Sequence, residues 1–153
     1  MRDTAVKGLI AGIAGGLFFQ VFVWIFYLMG IAASTPFRLG AYILIRPGLD
    51  IGSLPAQGLG AVQHFALSAL LGVITVYILR LMGPDFSGVK GLVFGGLIYF
   101  LVYGVLAKAV IPVQILQPNL ATSIVYLFGN LFFGLTTTSV AGYLVRTEVE
   151  TGG

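Results

Sequence analysis

The chain has no cysteine and a single histidine, and charged side chains make up only 8% of its 153 residues. Each shortage closes off a class of function. Without cysteine there is no disulfide framework and no thiolate metal site. One histidine, with no carboxylate in any apolar stretch, is a poor start for a metal centre or a proton relay. Eight Lys and Arg against five Asp and Glu leave a formal charge of +3. The basic residues are scattered at segment ends, so no basic patch is offered to nucleic acid. A soluble domain carries about 25% charged residues. With 58% hydrophobic residues instead, this chain cannot hide its apolar surface inside a water-soluble globule. Its natural solvent is lipid.

A spanning helix needs roughly 20 mostly apolar residues to cross about 30 Å of hydrocarbon. Four stretches qualify, about 8–33, 58–82, 90–111 and 119–145. They predict an all-α fold: one integral membrane domain over 1–153, built as a four-helix transmembrane bundle. The first apolar run is too long for a signal-peptide core, so the first helix is expected to stay in the membrane. "MRDTAV" and "RTEVETGG" read as short polar tails. Arg2, Lys7, Arg80, Lys90 and Arg146 fall on one side, and Arg38, Arg46 and Lys108 on the other. This excess predicts a cell (inner) membrane protein with both termini in the cytoplasm.

The connections differ in kind. "GPDFSGV", at 83–89, is a tight turn that predicts spans two and three to be antiparallel neighbours. The connection over 34–57 is long, apolar and interrupted by Pro36, Pro47 and Pro55. It reads as an interfacial or partly re-entrant segment with one or two helical turns around 37–46, or as a loop packed over the helix ends. In the interfacial reading Arg38 and Arg46 sit among lipid headgroups.

"VKGL" occurs twice, at Val6–Leu9 and again at Val89–Leu92, each time opening a glycine-bearing helix. Both following helices end in arginine, Arg80 and Arg146. The layout suggests two parallel copies of a helical hairpin, related by an axis along the membrane normal; chance likeness between two glycine-rich helices is the competing reading. Gly8, Gly12 and Gly16 recur every four residues, and Gly91 and Gly95 repeat the pattern. An interior glycine costs a helix about 1 kcal/mol relative to alanine. In a membrane that loss is offset by close helix–helix approach. These strips are read as helix-packing faces, filled from this chain or from another.

Polar residues at membrane depth face protein or a cavity. Gln20 lies on the first span, and His64, Ser68 and Thr75 share a face of the second. Tyr99 and Tyr103 lie on the third, and Tyr126, Asn130 and Thr137 share a face of the fourth. Together they form a polar seam, in which counting along the helices pairs Gln20 with Asn130 near the midplane. The four hydroxyls of "LTTTSVAG" can bond carbonyls of the preceding turn without any ligand.

No catalytic set emerges: Asp50 and Asp85 fall on opposite sides, no Ser/His/Asp group converges, and "GLIAGIAGG" has no strand before it to make a dinucleotide fingerprint. The expectation is a protein that is not an enzyme, with no cofactor and no metal. The glycine-rich first helix, the long proline-bearing connection, the third helix "GLIYFLVYGVLAKAVIP" and the polar fourth resemble, in layout, the YqhR-type membrane proteins of spore-forming bacteria. The first connection is more apolar than that family's pattern, and the resemblance implies no activity and no functional residue. The leading functional expectation is a multi-pass scaffold or accessory subunit, docking through its glycine faces to itself or to a larger membrane complex. The alternative is an oligomeric channel or transporter component lined by the polar seam. Membrane lipids, a second membrane protein or further copies of the chain are the expected partners.

Overall fold

The computed structural model describes residues 2–45, 48–110 and 119–151. Among these residues every element is helical. Helix α1 spans Arg2–Leu28, α2 Pro36–Leu44, α3 Leu54–Met82 and α4 Ser87–Ile98. A π-helix, Tyr99–Leu106, continues α4 into the short α5, Ala107–Val110, and α6 spans Leu120–Thr151. Four stretches, Thr4–Leu28, Leu54–Met82, Ser87–Val105 and Leu120–Thr147, are long and apolar enough to cross a membrane. The fold is an all-α bundle, compatible with a membrane protein of four spans.

Several boundaries differ from the apolar runs, each for a local reason. Helix α1 stops at Leu28, short of residue 33, because Gly30 takes φ +74°. The amide of Ile31 then reaches back to the carbonyl of Phe26 at 2.9 Å, which closes the last turn in a Schellman arrangement. Helix α3 begins four residues earlier than its apolar run, with Pro55 in its first turn, where a missing N–H leaves no bond unmade. Helix α6 runs on through "RTEVET" rather than fraying into a tail. The first connection contains a true helix, α2. Thr35 caps it by accepting from the amide of Arg38 at 3.4 Å, and Pro36 occupies its first position. It packs on α3, burying Leu39, Gly40 and Ala41. A Cβ at Gly60 of α3 would meet the Phe37 carbonyl, so that crossing also depends on a glycine.

The packing repeats. Helix α1 lies along α3, and α4 lies along α6. A Cβ at Gly12 would stand 2.9 Å from the Cα of Ala69, against the Ser68 carbonyl. A Cβ at Gly95 would stand 2.9 Å from the Cα of Leu131, against the Asn130 carbonyl. From the other side, a Cβ at Gly72 would stand 2.6 Å from the Cα of Gly12, and one at Gly134 would stand 2.8 Å from the Cα of Gly95. One offset, 83, relates the first helices of the two pairs, and another, 62, relates the second helices. The two hairpins are therefore structurally equivalent, and their helices run up and down in the same order.

The equivalence stops between hairpins. Helix α1 also packs along α6, but the corresponding pair, α4 with α3, does not pack along its length. Spans two and three are thus joined by a tight turn without lying against each other, contrary to the reading of "GPDFSGV". The turn uses Gly83 at φ +80° and Phe86 at φ +53°. Lys90 closes it by donating to the carbonyls of Met82 and Gly83, at 3.0 and 2.9 Å. Two core clusters fill the bundle. One gathers Phe19, Val23, Val125, Tyr126 and Phe133, and the other Ala11, Val76, Leu79, Ala141 and Val145.

The equivalence has a direct consequence for stability. Gly12→Ala and Gly95→Ala each force a methyl group into a neighbouring backbone, and each should destabilise the fold by about 1–3 kcal/mol. Gly58→Ala, where a Cβ meets open space, should be neutral or stabilising by up to about 1 kcal/mol. Thermal unfolding in detergent micelles measures all three. Losses at positions 12 and 95 that differ by more than twofold would contradict the equivalence of the hairpins.

Candidate functional site

At the last glycine contact of α1, the first hairpin changes from apolar to polar packing. A Cβ at Gly16 would stand 2.8 Å from the Cβ of Ser68 and 3.5 Å from Nε2 of His64. The missing side chain leaves room for both residues. His64 Nε2 lies 3.0 Å from the Gly16 carbonyl. A carbonyl only accepts, so Nε2 carries the proton and a neutral ring keeps Nδ1 as an acceptor. The imidazole is packed among aromatic rings, with Phe65, Phe37 and Phe19 at centroid distances of 5.2, 5.7 and 5.8 Å. It is an interhelical histidine, buried and hydrogen-bonded.

The equivalent part of the second hairpin is built from larger groups. Asn130 occupies the position of Ser68, and Tyr126 that of His64. The Asn130 amide donates to the Tyr126 carbonyl of its own helix at 2.7 Å. Its side chain is also within hydrogen-bonding reach of Tyr103 from the π-helix. The Tyr103 ring lies 5.1 Å from that of Tyr126 and is stacked on Tyr99 at 5.8 Å.

The two halves enclose a cavity of about 40 Å³. Its polar wall is His64, Ser68, Tyr103 and Asn130, and its apolar wall is Phe19, Leu67, Leu71, Ile98, Val102 and Phe133. Three pairs among these are equivalent positions of the repeat: Phe19 with Val102, Ser68 with Asn130, and Leu71 with Phe133. The cavity therefore lies on the axis that relates the hairpins. A water needs about 10–15 Å³ of such space, so the cavity accepts a few waters or one small polar group. No charged residue lines it.

The remaining seam residues lie elsewhere. Gln20 does not pair with Asn130. It lines a separate recess with Trp24, Thr35, Phe37 and Gln57, and its Oε1 is buried without a hydrogen bond. Equal depth along two helices did not give a shared azimuth, and Tyr126 supplies the nearer acceptor for Asn130. Thr75 donates to the carbonyl of Leu71 at 2.8 Å, away from the cavity. Its equivalent, Thr137, is buried without a partner against Gly15. The Tyr126 hydroxyl faces Ser34 without a bond of good geometry. Arg38 stacks over the ring of Tyr27 at 5.4 Å. Arg46 lies outside the described residues. Gly8, Gly12, Gly91 and Gly95 are all covered by helices of this chain. The sequence reading missed Phe19, Leu71 and Val102 as cavity residues. Only their places in the two offsets distinguish them from other apolar positions.

Among the described residues no group of three His, Cys, Asp or Glu could hold a metal ion. No family model, curated protein or solved structure matches the chain.

The two amides should respond to mutation in opposite ways. Gln20→Leu removes an unpaired buried acceptor and should leave stability unchanged or raise it by about 1 kcal/mol. Asn130→Leu removes a bonded amide and strands Tyr103, and should lower stability by about 1–2 kcal/mol. Unfolding in micelles tests both, and equal losses would revive the amide pair.

Proposed function

We propose that the protein is a small membrane transport component that holds a neutral, hydrogen-bonding molecule on the axis between its two hairpins. One observation carries this reading: equivalent residues of the two hairpins, Ser68 and Asn130, converge on one polar cavity. In transporters built from parallel repeats, substrates bind at the repeat interface near the bilayer midplane. The polar wall offers donors and acceptors but no charge, which favours a neutral ligand over an ion. Four helices enclose no complete path, so transport requires rocking of the hairpins against each other or assembly of several copies.

A scaffold or accessory subunit is the second reading, with a second membrane protein or further copies of the chain as partner. Its support is the span formed by α4 and the π-helix, which is the least buried of the four and packs on one neighbour, α6. Docking would use this face, because the glycine strips are filled from within. Orientation with both termini in the cytoplasm of the cell membrane is supported by basic residues gathered at one end. There Arg146 donates to the Pro84 carbonyl at 3.0 Å, near Lys90 and Asp85. The layout resemblance to YqhR-type proteins contributes no residue to either reading.

Proteoliposomes test the transport reading with two probes, urea by stopped-flow light scattering and a fluorescent long-chain alcohol by quenching from outside. Transbilayer movement of at least one probe should exceed that in protein-free vesicles by tenfold or more. Asn130→Leu, in protein shown to be folded, should remove most of that excess. No acceleration of either probe overturns the transport reading.

A further inference from the structure

Access to the cavity is uneven. Toward one end of the bundle the axis is filled by Val76, Leu79 and Ala141, all fully buried. Toward the other, Tyr126 closes it, its ring 6.0 Å from that of Phe19 and 5.1 Å from that of Tyr103. The side wall between α3 and α4 is different, because these helices do not pack along their length, although their equivalents α6 and α1 do. On this side the cavity is lined by the half-buried Leu67 and Leu71 of α3, the buried Ile98 of α4 and the half-buried Val102 of the π-helix. All four are apolar, and the polar groups lie behind them. The π-helix begins at Tyr99 and forms one side of the opening. Wide turns of this kind often mark functional sites in helices.

We propose that the cavity receives the hydroxyl or carbonyl head of a neutral, membrane-soluble amphiphile, which enters sideways from the bilayer between α3 and the α4–π-helix span. The proposal rests on the binding reading above and specifies its ligand class. Three observations converge on it. The residues on the unpacked side are all apolar, so a hydrated solute entering there would lose its water before meeting any polar partner. The cavity volume of about 40 Å³ has room for one small head group. The polar wall presents a donor and acceptors, namely the Ser68 hydroxyl, the Asn130 amide, the Tyr103 hydroxyl and His64 Nδ1, with no cation to match an anionic head. A hydrocarbon tail left in the cleft would take the place that helix–helix contact occupies between α1 and α6.

The probe is a long-chain alcohol carrying a diazirine beside its hydroxyl, photolysed with the protein in phospholipid nanodiscs. Labelling should concentrate in peptides containing residues 64–71 and 98–105. Excess hexadecanol should reduce it at least tenfold, and hexadecane should not. Because the chain has no native cysteine, Leu67→Cys with Val102→Cys gives a clean pair across the opening. Bridging the pair with a short bifunctional thiol reagent should suppress labelling at least fivefold relative to the same double variant left unbridged. Labelling spread evenly over all four helices overturns the proposal, as does labelling unaffected by hexadecanol or by the bridge. Urea flux without alcohol labelling of the cavity would overturn lateral entry and leave the transport reading standing. Loss of both would remove the two together.

Discussion

The close approach of helix backbones at glycine sets the geometry of everything else. In the first hairpin Gly72 of α3 fits between Gly8 and Gly12 of α1, and in the second Gly134 of α6 fits between Gly91 and Gly95 of α4. In lipid there is no hydrophobic force to hold helices together, since lipid tails are as apolar as leucine. Contact area and close backbone packing must do it. The same glycines that weaken an isolated helix are what hold each hairpin shut. They also fix rotation: with the glycine faces turned inward, the face one turn further along each helix must meet the other hairpin.

That next turn is where the two copies diverge. The strip in α1 continues to Gly16, which admits His64 and Ser68. The equivalent position in α4 is Tyr99, the first residue of the π-helix. A tyrosine cannot lie flush against a neighbouring backbone as glycine does. Helix α4 follows α6 closely through Gly91 and Gly95, then loses its glycine and leaves regular α geometry at the next turn. Gln20 and His64 likewise become Tyr103 and Tyr126 in the second copy. Their rings contact one another across α6 and the π-helix. Bulk in the second copy thus accounts for both the wide helical turn and the unpacked wall beside α3.

How much of this was legible in the sequence follows from the same contrast. Spans are set by composition over about 20 residues, and a few misplaced positions do not disturb them. The glycine strips were legible because small residues at a spacing of four fall on one helix face. The short helix α2 was partly legible, since "STP" supplies a cap and an initiating proline. The π-helix was not: within "YFLVYGVL" nearly every residue is apolar, so no polar face exists to reveal a change of helical period. The pairing of Gln20 with Asn130 failed for a related reason. Sequence counting gives depth in the membrane, while azimuth depends on which face the glycines turn inward. The antiparallel packing of α3 and α4 failed because a tight turn brings two helix ends together without obliging their axes to stay together.

The neutrality of the cavity is a further result of its position. An ionised group on the axis would be surrounded by apolar side chains and, beyond the opening, by hydrocarbon, at a cost of several kcal/mol. His64 avoids that cost by donating from Nε2 to the Gly16 carbonyl and packing its ring among three phenylalanines. Ser68 and Asn130 supply hydrogen-bonding capacity there without charge. Asn130 donates to the carbonyl of its own preceding turn, and its side chain also lies within hydrogen-bonding reach of Tyr103, so the amide is held from two sides without a charge. The cavity wall thus carries hydrogen-bonding groups from both hairpins and no charged side chain.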